Sequence, residues 1–148
     1  MCVHVTRLQK RFYWTIAILV GWILPALIAG LWGDFVGGML LAGGLRVTLM
    51  LHATWCVNSV AHVLGKRTYS LAISARDSLI TALLTGGEGY HNFHHKFPAD
   101  YRNAVRWYQY DPTKWFIWTM GKLGLARNLR RTAPQLVLAA RERVRSAA

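Results

Sequence analysis

Three of the six histidines fall within five residues, His91-Asn92-Phe93-His94-His95, directly after the glycine-bounded run Gly86-Gly87-Glu88-Gly89-Tyr90. On a helix, His91, His94 and His95 stand at i, i+3 and i+4, so their imidazoles project from one face. Neutral imidazoles grouped in this way are ligands for a borderline metal such as iron or zinc. A polar helix face with incidental histidines is the plainer alternative, and it suits one histidine better than three at ligand spacing. No glutamate lies between the histidines to act as a general base, so the run is not the His-Glu-x-x-His site of a zinc protease. The only cysteines, Cys2 and Cys56, are far apart and form no Cys-x-x-Cys pair. An all-histidine set without a base points to redox-active iron rather than hydrolytic zinc.

A second polar group stands upstream. Asn58 and His62 are four residues apart near the end of the second span and share a helix face. Alone, the pair reads as a hydrogen-bonded contact between helices. Beside a three-histidine run, His62 becomes a fourth candidate ligand and Asn58 a group that reaches the metal through water or orients a ligand. His52 lies ten residues before His62, about 15 Å along a helix axis, and reads as structural. His4 reads as a solvent histidine.

The elements that must position these groups are helical, and the fold class expected is all-α. The chain has 148 residues, 53% of them hydrophobic, with a net charge of +12. Apolar bulk and charge are segregated. From Tyr13 to Leu64 the only formal charges are Asp34 and Arg46. Residues 13–64 therefore read as a membrane hairpin: a first span over Tyr13 to Trp32, bent at Pro25, a turn at Gly33-Asp34, and a second span over Phe35 to Leu64. At 1.5 Å per residue the second run reaches about 45 Å, so its C-terminal end should leave the lipid. The first span is too long for the apolar region of a secretory leader. Arg46, near mid-membrane, is expected to pair with a polar or acidic group on a further helical hairpin.

Fourteen of the 18 lysines and arginines follow residue 64, and Arg7, Lys10 and Arg11 precede the first span. The excess of positive charge on the inner side places both termini and the histidine run in the cytosol, in an integral, multi-pass membrane protein. Residues 1–12 form a cytosolic lead-in and 65–131 a cytosolic metal-binding cap. Within the cap, Ser74-Ala75-Arg76-Asp77 reads as a capping box opening a helix to about Leu84, which Gly86-Gly87 stops. The histidine helix ends before Pro98. Asp111-Pro112 opens another helix, whose Trp115, Phe116 and Trp118 beside Lys114 and Lys122 suit a lipid–water interface or a packed core. Residues 132–148 read as a basic amphipathic tail with Leu136, Val137, Leu138 and Val144 on its apolar side. Nearness to anionic lipid accounts for its charge, and no nucleic-acid partner is expected.

Three stretches together carry a resemblance. His52-Ala53-Thr54-Trp55-Cys56-Val57-Asn58-Ser59-Val60-Ala61-His62, then Gly86 to His95, then Arg106-Trp107 with Asp111-Pro112-Thr113-Lys114-Trp115, resemble the C-terminal half of membrane acyl-CoA desaturases of the stearoyl-CoA (delta-9) type. The similarity runs from about Arg7 to Arg131. Either motif alone also admits a histidine-box membrane hydroxylase. The resemblance implies half of a four-transmembrane-helix fold under a cytosolic cap. It implies a di-iron centre with His62, His91, His94 and His95 as ligands, Asn58 reaching a metal through water, and Trp55 lining the substrate tunnel. It implies a fatty acyl-CoA substrate, dioxygen (O2), and a cytochrome b-type or ferredoxin-type electron donor, with a cis double bond as product. The family also carries an earlier His-x-x-x-x-His box and an earlier His-x-x-His-His box, and neither is present here. A partner N-terminal half is therefore expected to complete the iron pair. The remaining alternative is a non-catalytic, metal-binding membrane remnant.

Overall fold

The computed structural model describes Arg7 and residues 10–147; Cys2 and His4 lie outside the described residues. Among the described residues the chain is helical, with no strand and two isolated bridges, Lys66 to Asp77 and Asp77 to Tyr90. Two helices are long and apolar enough to cross a membrane: α1, Tyr13–Gly30, and α2, Phe35–Val63. Four shorter ones follow: α3 (Leu79–Leu84), α4 (His91–Lys96), α5 (Pro112–Lys122) and α6 (Pro134–Ser146). The chain divides into two compact units, one ending at His52 and the other beginning at Ala53.

In the first unit, small residues let α1 and α2 approach closely. Ala26 is fully buried, and a side chain at Gly38 would strike Ala29 and the Pro25 carbonyl. Most other side chains face outward: only 6% of α1 and 11% of an apolar 18-residue stretch of α2 is buried. A soluble core helix would show the reverse, so this apolar surface is suited to lipid or to further helices. Asp34 closes the turn and also caps α2, its Oδ1 accepting from the Gly37 amide at 2.8 Å.

The expected bend at Pro25 takes the form of a π-helical stretch, Leu19–Ile23, just before it. Proline has no N–H to give to the Gly21 carbonyl four residues back. The Arg46 guanidinium supplies that donor instead. Its Nη2 bonds to Gly21 O and its Nε to Ala42 O, both at 2.8 Å. Arg46 thus finds carbonyl acceptors inside its own hairpin.

The second unit departs from expectation at several points. The helix expected to open at Ser74 begins five residues later, at Leu79, where Ser78 is the cap and its Oγ accepts from the Thr81 amide. Gly86 and Gly87 end α3 with left-handed backbone, φ 67° and 107°. Gly89 lies flush against α3, where an added Cβ would come within 2.0 Å of the Ala82 nitrogen. Overpacking of this kind costs about 1–3 kcal/mol. Gly89→Ala is therefore expected to lower the unfolding midpoint of the detergent-solubilised chain, and an unchanged midpoint would show that the turn relaxes freely.

Asp111 caps α5 as expected, its Oδ1 accepting from the Lys114 amide at 2.9 Å, while its Oδ2 accepts from the amides of Asn103 and Ala104. Lys114 turns inward. It is 5% exposed, and its Nζ donates to the carbonyls of Ala104, Arg106 and Gln109, stitching that loop to α5. Burial pushes its ammonium below the usual lysine range. In the tail helix Val137 and Ala140 are buried, whereas Leu136 and Leu138 are exposed.

Candidate metal centre

Helix α4 has only six residues, too short to hold its shape by its own hydrogen bonds. The segment before it supplies the missing support. The Asp77 Oδ1 accepts from the Asn92 amide at 2.9 Å and the Phe93 amide at 3.2 Å, which places a carboxylate at the positive end of α4. Burial pushes the Asp77 carboxyl up, against hydrogen bonds from Thr68, Phe93 and Asn92. Asn92, on the same short helix as His91 and His95, is fully buried. Its Oδ1 accepts from the amides of Tyr69 and Ser70, and its Nδ2 donates to the carbonyls of Ser70 and Ala75. All four of its capacities are used, so it pins the loop before α3 to the histidine helix. Phe93 packs against Tyr69 and Phe97, ring centroids 5.2 Å away in each case.

The fourth histidine arrives from the end of α2. That helix is interrupted at Ser59, whose Oγ bonds to Trp55 O at 2.7 Å while Asn58 Nδ2 bonds to Thr54 O at 3.1 Å. Such back-bonding bends helices. The last turn, Val60–Val63, is thereby set off from the rest and carries His62. The expectation of one straight face shared by Asn58 and His62 is corrected accordingly.

His62, His91 and His95 converge. One ring nitrogen from each lies within 4.8 Å of the others. The Nε2 atoms of His91 and His95 face each other at 3.0 Å, and the His62 ring stands edge-on to both, at 5.0 and 5.8 Å between centroids. Two nitrogens each about 2.1 Å from one ion would be about 3.0 Å apart when roughly at right angles, so the pair fits a shared metal. His91 is buried, and its Nδ1 has no hydrogen-bond partner. Burial, then the neighbouring His95, His62 and His94, pushes its pKa down to about 4. Burial also lowers His95, with help from His94 and His62. Both shifts favour the neutral ring, the form that offers a lone pair to a metal.

His94 is outside this group. Its ring stacks on His91 at 6.0 Å. Asn58 is turned to its own helix, and Trp55 is an exposed side chain of α2. His52 Nδ1 is 2.9 Å from Thr48 O.

The roles of four supporting residues escaped the sequence reading. Ser74 and Asp77 look like a capping box from their spacing alone. Instead, Ser74 Oγ lies 2.8 Å from His62 Nδ1, and Asp77 caps α4. Between them Arg76 donates to the carbonyls of His62 and Gly65. Asn92 could have been noticed as the one amide inside the histidine run.

The family model for "Fatty acid desaturase" matches residues 3–130. The chain belongs to the fatty acid desaturase family. This desaturase sequence is 47% identical over 126 residues to acyl-CoA desaturase 1 of Saccharomyces cerevisiae, covering 84% of the chain and 25% of the yeast protein. It is 39% identical over 141 residues to stearoyl-CoA desaturase 5 of Bos taurus, covering 94% of the chain and 42% of that protein. Against stearoyl-CoA desaturase of Homo sapiens it is 38% identical over 133 residues, covering 88% and 37%. The desaturase chain thus spans a quarter to about two fifths of the length of these relatives. The matched region includes both histidine-bearing segments and the two long apolar helices.

Proposed function

We propose that this chain is the C-terminal part of a di-iron acyl-CoA desaturase. The observation that carries the reading is the convergence of His62 and His95 on the buried His91, one ring nitrogen from each lying within 4.8 Å of the others. In this reading His62, His91 and His95 hold one iron. His94, on the same short helix but outside that group, holds the second together with histidines from the N-terminal region of the complete enzyme. Asn58 acts through water, and Trp55 lines the acyl tunnel. Bound iron supplies the activation of dioxygen and the removal of two hydrogens from adjacent methylene carbons. Two electrons from a cytochrome b-type or ferredoxin-type carrier and two protons balance the formation of water beside the cis double bond. The substrate is a fatty acyl-CoA. The protein spans the bilayer several times, with both termini and the metal site in the cytosol.

The residues of this chain perform defined tasks in that scheme. The buried His91 offers a lone pair without first losing a proton. Asp77 and Asn92 hold the ring-bearing helix still, and the break at Ser59 turns His62 towards α4. The four histidines are too few for two irons, which makes the isolated chain catalytically silent. The test is to purify the chain alone and in complex with the N-terminal region of a longer relative. With acyl-CoA, reductant and oxygen, unsaturated product is expected only from the complex, which should also contain two irons. Unsaturated product from the chain alone would overturn the assignment.

A further inference from the structure

We infer that Ser74 is the positioning residue of His62, its hydroxyl accepting a hydrogen bond from Nδ1–H and so reserving Nε2 for the metal. The inference rests on the metal reading above and goes beyond it, because it assigns a role to a residue outside the histidine motifs. Ser74 Oγ is 2.8 Å from His62 Nδ1. The spacing that suggests a helix cap is not used for one, since α3 starts at Leu79 with Ser78 as its cap. The hydroxyl is therefore free of the backbone duty its sequence context implies. A ligating imidazole keeps its other nitrogen protonated and bonded to an acceptor, which fixes the tautomer and the ring plane.

The chain around Ser74 is itself held to the His62 segment. The Arg76 amide donates to Ala61 O at 2.8 Å, its Nε to His62 O at 3.3 Å and its Nη1 to Gly65 O at 3.1 Å. The His91 amide in turn donates to Arg76 O. One segment, 74–77, thus ties the His62 turn to α4 by backbone and orients the His62 ring by side chain. Ser74 is exposed, so removing its hydroxyl costs little packing.

The test uses the full 148-residue chain in detergent micelles, with cobalt(II) as the probe and 15N-labelled histidine. In the metal-free wild type, His62 is expected as the Nδ1–H tautomer by nitrogen chemical shift. Ser74→Ala should lose that preference and bind cobalt(II) about 10–100-fold more weakly, the usual cost of removing a ligand's hydrogen-bond partner. Its helicity should be unchanged. Ser74→Thr, which keeps the hydroxyl, should restore both the tautomer and the affinity. Equal cobalt(II) affinity in wild type and Ser74→Ala would overturn the positioning role while leaving the metal site standing. A wild type that binds no cobalt(II) would overturn the metal reading and this inference with it. Should Ser74→Ala fail to fold, the wild-type tautomer decides: Nδ1–H supports the inference and Nε2–H overturns it.

Discussion

His62→Ala is expected to strip iron from the assembled enzyme and abolish desaturation, while His52→Ala keeps its iron and a measurable rate. Both residues belong to α2, and composition alone does not separate them. Their surroundings do. The Nδ1 of His52 is committed to Thr48 O, one turn back on its own helix. His62 stands beyond the break at Ser59, with a ring nitrogen inside the group formed by His91 and His95. Losing one of three imidazoles removes a bond to the metal itself. That should exceed the roughly 10–100-fold loss typical of an outer hydrogen-bonding partner. Asn58→Ala should fall between the two. Iron content by elemental analysis and turnover by product analysis check all three variants. Equal iron loss from His52→Ala and His62→Ala would mean that the metal lies elsewhere.

The second large effect concerns a residue that never touches a metal. Asn92→Ala is expected to destabilise the cap by about 3–5 kcal/mol, because a buried polar group left unanswered costs about 1–3 kcal/mol. The substitution would orphan the amides of Tyr69 and Ser70 and the carbonyls of Ser70 and Ala75. Water entering the gap would offset part of that. Such a loss is a large fraction of the 5–15 kcal/mol that holds an ordinary domain together. Asn92→Asp keeps the two acceptor bonds and loses the two donor bonds, so it should be milder. Thermal unfolding followed by tryptophan fluorescence measures both. A change under about 1 kcal/mol for Asn92→Ala would show that the loop and α4 are held by other contacts.

What the sequence discloses is what depends on local pattern. The two apolar helices, the turn at Gly33-Asp34, the stop at Gly86-Gly87 and the cap at Asp111 follow from hydropathy, glycine and side-chain capping, all within a few residues. Of the converging histidines, His91 and His95 are legible from their helical spacing, whereas His94 of the same run stands outside the group. What is hidden depends on contacts distant in sequence. Ser74 meets a residue twelve positions earlier and Asp77 meets amides fifteen and sixteen positions later. Nothing in a local window says that these bonds outcompete a capping box. Arg46 is similar: its acceptor is twenty-five residues away, and that acceptor is free because Pro25 lacks a donor. Lys114 looks amphipathic in sequence, yet three carbonyls from one loop draw it inside. The break at Ser59 needed no distant partner, and the adjacent Asn58-Ser59 pair was a local signal for it.

The central claim is that histidines of this chain hold redox-active iron in a desaturase. Its most direct test is iron K-edge X-ray absorption on the complex of this chain with the N-terminal region of a longer relative, compared with the same complex carrying His91→Ala. An iron shell of imidazole nitrogens is expected in the parent complex, with a measurable loss of imidazole scattering and of iron in the variant. An iron environment of sulfur or oxygen alone, or one unchanged by His91→Ala, would contradict it.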